Sequence, residues 1–130
     1  MWAPMAAITY LVEDNATIRE NLIPTLKDLA DCRVVGFAEG EHDASEWLDG
    51  HNGSWDLAVV DLFLKDGSGL GVLKGCDHRQ PHQRVVILTN YCTVDMRAQC
   101  MALGADAVFD KSTELDGFFD FCNAPKDTHI

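Results

Sequence analysis

Five short apolar runs, each followed by a longer mixed segment, constrain the fold of this chain most. They are AITYLV (7–12), RVVGFA (33–38), DLAVV (56–60), RVVIL (84–88) and DAVF (106–109). Three are nearly continuous in Val, Ile, Leu and Ala, as in a parallel strand covered on both faces; a half-exposed antiparallel strand would alternate instead. The strict order strand, helix, strand over 130 residues fits one α/β domain, an open, doubly wound parallel sheet with helices on both faces.

The intervening segments read as five helices. Asn15 or Thr17 can cap the first, with Thr17 and Glu20 spaced as in a capping box and Ile18, Leu22, Leu26 and Leu29 on one stripe. Pro24 removes a backbone donor inside it and predicts a kink. EHDASEWLDG gives a short second helix, and Ser68 starts a third that ends before Pro81. The fourth runs from about Thr93 to Leu103 with Gly104 as its stop. Ser112 or Thr113 caps the last, which carries Leu115, Phe118, Phe119 and Cys122 and stops by Pro125.

Polar residues end the strands. The first runs into Glu13 and Asp14, the third ends at Asp61, the fourth at Thr89 and Asn90, and the fifth at Lys111. Open α/β sheets bind ligands at the carboxyl ends of their strands, where the strand order reverses. In the order 2-1-3-4-5, three carboxylates, a hydroxyl and an ammonium converge on one crevice, and Glu39 on the edge strand is left out. Two carboxylates about 5 Å apart repel by roughly 3 kcal/mol at an effective dielectric near 20. A hard divalent cation relieves that repulsion, and Mg²⁺ suits a site with few carboxylates and retained waters.

Charge and composition exclude other classes. Ten Lys and Arg against twenty-one Asp and Glu give a net charge of −11, which argues against gripping a phosphate backbone. No apolar run reaches the roughly 18 residues of a membrane span, and no basic residue precedes Arg19, so no signal peptide is read. A cytoplasmic location follows as the expectation. Five cysteines without CxxC spacing read as small apolar residues in a reducing compartment. His78 and His82 flank Pro81 in a loop-like stretch and are discounted as metal ligands.

VEDN after the first strand, DLFLKDGSGL after the third, LTN after the fourth and FDKS after the fifth carry a family likeness. Over about residues 6–123 the chain resembles a receiver domain of two-component response regulators, with 1–5 and 124–130 as short extensions. The resemblance implies a flavodoxin-like (βα)5 fold and a phosphoacceptor role in signalling rather than enzyme turnover. Asp61 would take a phosphoryl group from a sensor histidine kinase or a histidine phosphotransfer protein. Glu13, Asp14, Asp61 and the backbone carbonyl of Phe63 would hold Mg²⁺ (or Mn²⁺), and Thr89 and Lys111 would bind phosphoryl oxygens. A downstream protein would dock on the face of the fourth helix, fifth strand and fifth helix.

Departures from the family pattern bear on output, not on the acceptor. The position three before the lysine, often aromatic, is Val108, with Phe109 on the opposite face of the strand. Asn90 stands where a small residue is common, Lys65 where proline is common, and Ser112 in place of the proline after the lysine, which predicts a trans peptide there. Phe63 and Tyr91, two past Asp61 and Thr89, flank the position of the phosphoryl group and predict slow self-dephosphorylation by excluding water. GSGLG (67–71) lacks the third glycine of GxGxxG and is rejected as a dinucleotide loop. PKDTHI is too short for a DNA-binding segment, so the expectation is a stand-alone receiver. The alternatives are a phosphorylation-independent interaction module and, weakest, a Mg²⁺-dependent phosphate hydrolase.

Overall fold

The computed structural model describes residues 6–123; the two expected extensions and the Pro125 stop lie outside them. Ten elements alternate: β1 (Ala7–Val12), α1 (Ala16–Ala30), β2 (Cys32–Ala38), α2 (Glu41–Gly50), β3 (Leu57–Val60), α3 (Gly69–Gly75), β4 (Arg84–Thr89), α4 (Val94–Ala102), β5 (Ala107–Asp110) and α5 (Leu115–Asn123). All strand pairs are parallel, in the order β2-β1-β3-β4-β5. This is the doubly wound, flavodoxin-like arrangement expected of the runs, with the order reversing between β1 and β3.

The near-continuous apolar runs are explained by two cores. Tyr10, Val12, Ala58, Val60, Val85 and Ile87 point to the side packed by α2, α3 and α4, together with Leu48, Trp55, Val72 and Cys100. Their neighbours Leu11, Leu57, Val59, Val86 and Leu88 point to the other side, against Leu22, Leu26, Phe118 and Cys122 of α1 and α5. Each fully buried Val or Leu side chain contributes roughly 1.5–3 kcal/mol relative to exposure, so both faces must be apolar to hold helices. The edge strand β2 has one neighbour and alternates, leaving Val35 and Phe37 exposed. Val108 and Phe109 do face opposite sides: Val108 joins the first core, and Phe109 packs by Phe118 and Phe121.

Local details bear out some expectations and correct others. Asn15, not Thr17, caps α1, its side chain accepting from the Ile18 N–H at 2.9 Å. The buried stripe of α1 is Arg19, Leu22, Leu26 and Ala30, so Leu29 is exposed. α1 runs through Pro24, as its apolar stripe required. α3 starts from the Ser68 cap and closes at Gly75, before Pro81 as expected. Neither Ser112 nor Thr113 caps α5 with its side chain. Asp110 Oδ1 accepts from both of their N–H groups, at 2.7 and 3.2 Å, and the Glu114 carbonyl takes the Phe118 N–H at 3.0 Å. No cis peptide occurs among the described residues, so the Lys111–Ser112 bond is trans. No helix among them is long and apolar enough to cross a membrane.

Candidate functional site

The carboxyl ends of β1, β3 and β5 bring their polar residues together. Glu13 follows β1; its N–H is anchored on the Ala38 carbonyl at 3.0 Å and its side chain is buried. Asp61 follows β3, its N–H bonded to the Val12 carbonyl at 3.0 Å. Parallel pairing of β1 with β3 thus sets the two acids side by side. Oxygens of Glu13, Asp14 and Asp61 lie within 4.8 Å of one another. Lys111, whose N–H is fixed on the Thr89 carbonyl at 2.9 Å, reaches across from β5. Its Nζ donates to Glu13 Oε1 at 2.6 Å and to Asp61 Oδ2 at 2.9 Å.

Burial and charge compete here. Burial pushes the Glu13 carboxyl above its ordinary range, further than the Lys111 hydrogen bond and charge pull it down. Burial likewise works to lower Lys111, but its hydrogen bonds to Glu13 and Asp61 outweigh that and hold the ammonium above its ordinary value. The carboxylates form an all-oxygen donor set with excess negative charge, which fits a hard divalent cation.

Thr89 ends β4 on the neighbouring strand and is fully buried; its Oγ1 accepts from the Tyr91 N–H at 3.2 Å. Among the described residues no hydrogen bond joins it to the carboxylates. Phe63 is tied the same way, its N–H donating to Asp61 Oδ1 at 3.4 Å. The half-exposed Phe63 and Tyr91 rings then meet edge to face, with centroids 4.7 Å apart. They make one aromatic pair across the ends of β3 and β4.

Sequence reasoning missed the arginine beneath the site. Arg19 donates to the Glu13 carbonyl at 2.7 Å, pairs with Glu39 at 3.0 Å and lies over the Phe37 ring at 4.1 Å. Lys65 completes the pair on Glu39 at 2.9 Å, and Lys65 and Arg19 hold the Glu39 carboxyl below its ordinary range. Glu39 stays outside the crevice as expected, but it holds the arginine that supports Glu13. The available signal was Arg19's helical spacing with Leu22 and Leu26. The rejected glycine run has a packing reason. A Cβ on Gly69 would lie 2.2 Å from the Asp61 carbonyl oxygen, and one on Gly71 would overlap the Glu41 carboxyl. That carboxyl accepts from the Ser68 N–H at 2.9 Å.

The response regulator receiver domain model matches residues 9–120. The chain belongs to this family. Among curated relatives of this receiver domain, the response regulator protein PilR of Pseudomonas aeruginosa is 32% identical over 106 residues, 81% of the chain and 23% of the relative. The transcriptional regulatory protein CiaR of Streptococcus pneumoniae is 30% identical over 106 residues, 82% of the chain and 45% of the relative. The receiver domain spans less than half the length of the curated relatives it matches. A response regulator from Burkholderia pseudomallei, solved with a phosphorylated aspartic acid, a calcium ion and citrate, shares the fold at a TM-score of 0.73. It is 23% identical, over 88% of this chain and 65% of that one.

Proposed function

We propose that the chain, over residues 6–123, is a phosphoacceptor receiver in two-component or phosphorelay signalling, with Asp61 as the acceptor. The observation that carries this reading is the Lys111 ammonium bridging Asp61 and Glu13 where Asp14 joins them. Phosphoryl transfer needs positioning and charge neutralisation more than covalent help from the protein. Asp61 forms an O–P bond as the P–N bond of a phosphohistidine breaks, and the imidazole leaves with the electron pair and regains a proton. The new group brings nearly two further negative charges. Lys111 turns one of its hydrogen bonds to a phosphoryl oxygen. Thr89 already accepts from Tyr91, which leaves its hydroxyl proton for another. Glu13, Asp14, Asp61 and the Phe63 carbonyl would hold Mg²⁺ (or Mn²⁺), which when bound supplies neutralisation of charge on the phosphoryl oxygens.

The donor is a sensor histidine kinase or histidine phosphotransfer protein, and the location is cytoplasmic. Output runs to a protein target through the α4–β5–α5 face; the acidic surface speaks against nucleic acid as the domain's own partner. On that face Val94 and Leu115 are exposed, and Arg97 of α4 donates to the Val108 carbonyl and pairs with Glu114 at 2.9 Å.

Intact mass after incubation with Mg²⁺ and an acyl phosphate tests the reading. One phosphoryl adduct is expected, abolished by Asp61→Ala and by chelation. Absence of both an adduct and beryllofluoride binding would replace this reading with a phosphorylation-independent interaction module.

The aromatic pair carries its own expectation. If the two rings keep water from the acyl phosphate, Phe63→Ala and Tyr91→Ala each shorten the phosphoryl half-life several-fold, and the double variant does little more than either. Decay followed by mass or phosphate release checks this, and unchanged half-lives would remove the rings from the account.

A further inference from the structure

At the amino ends of the strands, away from the carboxylates, β2 begins at Cys32 and the last turn of α5 carries Cys122. Ninety positions apart in sequence, they meet in space. Cys32 Sγ lies 4.0 Å from the Cys122 carbonyl oxygen and 3.5 Å from that of Ala30, which sets the two cysteines side by side. Both are buried in the core between the sheet and α1 and α5, where cysteine ordinarily serves as a small apolar residue.

The groups around this pair are not those of an inert core. Arg84 opens β4 with its guanidinium 4.5 Å above the Phe121 ring and Nη1 donating to the Phe121 carbonyl at 3.1 Å, while its Nε is buried without an acceptor. Thr9, fully buried on β1, donates to the Ala7 carbonyl at 3.0 Å, and its hydroxyl is near enough to favour a charged Cys32 sulfur. The neighbouring Cys122 thiol, against the upward push of burial, then Thr9 and the Arg84 charge hold the Cys32 thiol below its ordinary range, with Asp31 the one opposing charge. Cys122 is pushed up, by the neighbouring Cys32 thiol, by burial and by the Cys32 charge, against the pull of Arg84. A thiolate-prone cysteine beside a protonated one is the arrangement of an attacking and a resolving thiol.

We propose that Cys32 and Cys122 form a peroxide-modifiable dithiol that closes to an intramolecular disulfide. The Cys32 thiolate attacks hydrogen peroxide, whose O–O bond breaks to give a sulfenic acid and, with a proton, water. The Cys122 sulfur then attacks the Cys32 sulfur. The S–S bond forms, the S–O bond breaks, and the Cys122 proton leaves with the hydroxyl as a second water. Two thiols lose two electrons and two protons, and one peroxide becomes two waters. Cys122 lies in the last turn of α5, and local opening of that turn would admit the oxidant. The bond ties α5 to the edge strand without touching the carboxylate end, so it stands independently of phosphorylation.

The test treats the full chain, native at pH 7, with hydrogen peroxide, then alkylates free thiols under denaturing conditions and maps the peptides. The expected result is a Cys32–Cys122 linked peptide, a mass lower by two hydrogens and reversal by dithiothreitol, with Cys76, Cys92 and Cys100 still alkylated. Cys122→Ala is expected to stop at a Cys32 sulfenic acid that dimedone traps, and Arg84→Gln to slow oxidation several-fold. Oxidation that begins at the more accessible Cys92, or that links the pair only in denaturant, would overturn the proposal. Should a variant fail to fold, the wild-type peptide map alone decides.

Discussion

Replacing Lys111 with methionine is expected to lower the unfolding free energy by about 3–5 kcal/mol in metal-free buffer, the range for removing one partner of a buried ion pair. The whole stability of a domain is typically about 5–15 kcal/mol, so this is a large share. The cause is not the lost attraction alone. Glu13 is buried, and without the ammonium 2.6 Å away its charge faces Asp61 with nothing between them. The loss therefore depends on pH. The Glu13 carboxyl is already held above its ordinary 4.5, and removing Lys111 takes away the influences that lower it. A carboxyl raised in the folded state contributes stability that is present below 4.5 and lost as pH rises through the folded value. The gap between variant and wild type is thus narrow near pH 4.5 and wide at neutrality. At the alkaline end Lys111 itself, raised above 10.5 in the folded state, contributes fully below 10.5 and loses that contribution as pH climbs through its folded value. The gap closes again there. Millimolar Mg²⁺ is expected to recover more stability in the variant than in the wild type, through ligand linkage at the carboxylates left without their ammonium partner. Denaturant unfolding at several pH values, with and without Mg²⁺, measures all of this. A loss below about 1 kcal/mol that is flat in pH would show that the three acids do not strain one another.

The parts of this site that were legible in the sequence share one property: they are set by strand register. Glu13, Asp61 and Lys111 sit at strand ends, and parallel pairing with the order 2-1-3-4-5 brings such ends together whatever the side chains do. The second helix was legible to its last residue because Gly40 and Gly50 bracket it. What escaped depends on contacts between distant segments. α3 ends at Gly75, before Pro81 as expected, but what holds the chain beyond that end was not visible. Arg79 gathers the following turn by donating to the carbonyls of Cys76, Gln83 and Gly104 and pairing with Asp106. α5 is set by Asp110 and Glu114, tied through Arg97 to α4, and not by the hydroxyls of Ser112 and Thr113. The stripe of α1 turned by one residue because Arg19 finds Glu39 and the Glu13 carbonyl. That made an arginine at a core position less costly than the apolar pattern implied.

Gly69→Ala is the second large effect, and it isolates a backbone contact behind the acceptor. Gly69 opens α3 directly against the β3 end, and its N–H donates to the Leu62 carbonyl at 2.9 Å. A methyl group there would stand 2.2 Å from the Asp61 carbonyl oxygen and 2.8 Å from the Leu62 Cα. Both are backbone atoms, so no side-chain rotation relieves the overlap, and either α3 or the Asp61 peptide must move. Overpacking of this kind costs about 3 kcal/mol. The same helix supplies its own control. Gly75 has only the Ser45 hydroxyl at 3.8 Å from an added Cβ, and its helical backbone needs no glycine. Gly75→Ala is therefore expected to be neutral or to stabilise by up to about 1 kcal/mol, because alanine loses less backbone freedom on folding. The two variants differ by one methyl group each, and their unfolding midpoints are expected to move in opposite directions. The Asp61 carboxylate should also report the difference. In Gly69→Ala the displaced peptide shifts that carboxylate from Lys111, and phosphoryl incorporation falls at least tenfold, while Gly75→Ala labels like the wild type. Equal stabilities for the two variants would mean that β3 and α3 adjust freely, and the close approach would then have no part in holding the acceptor.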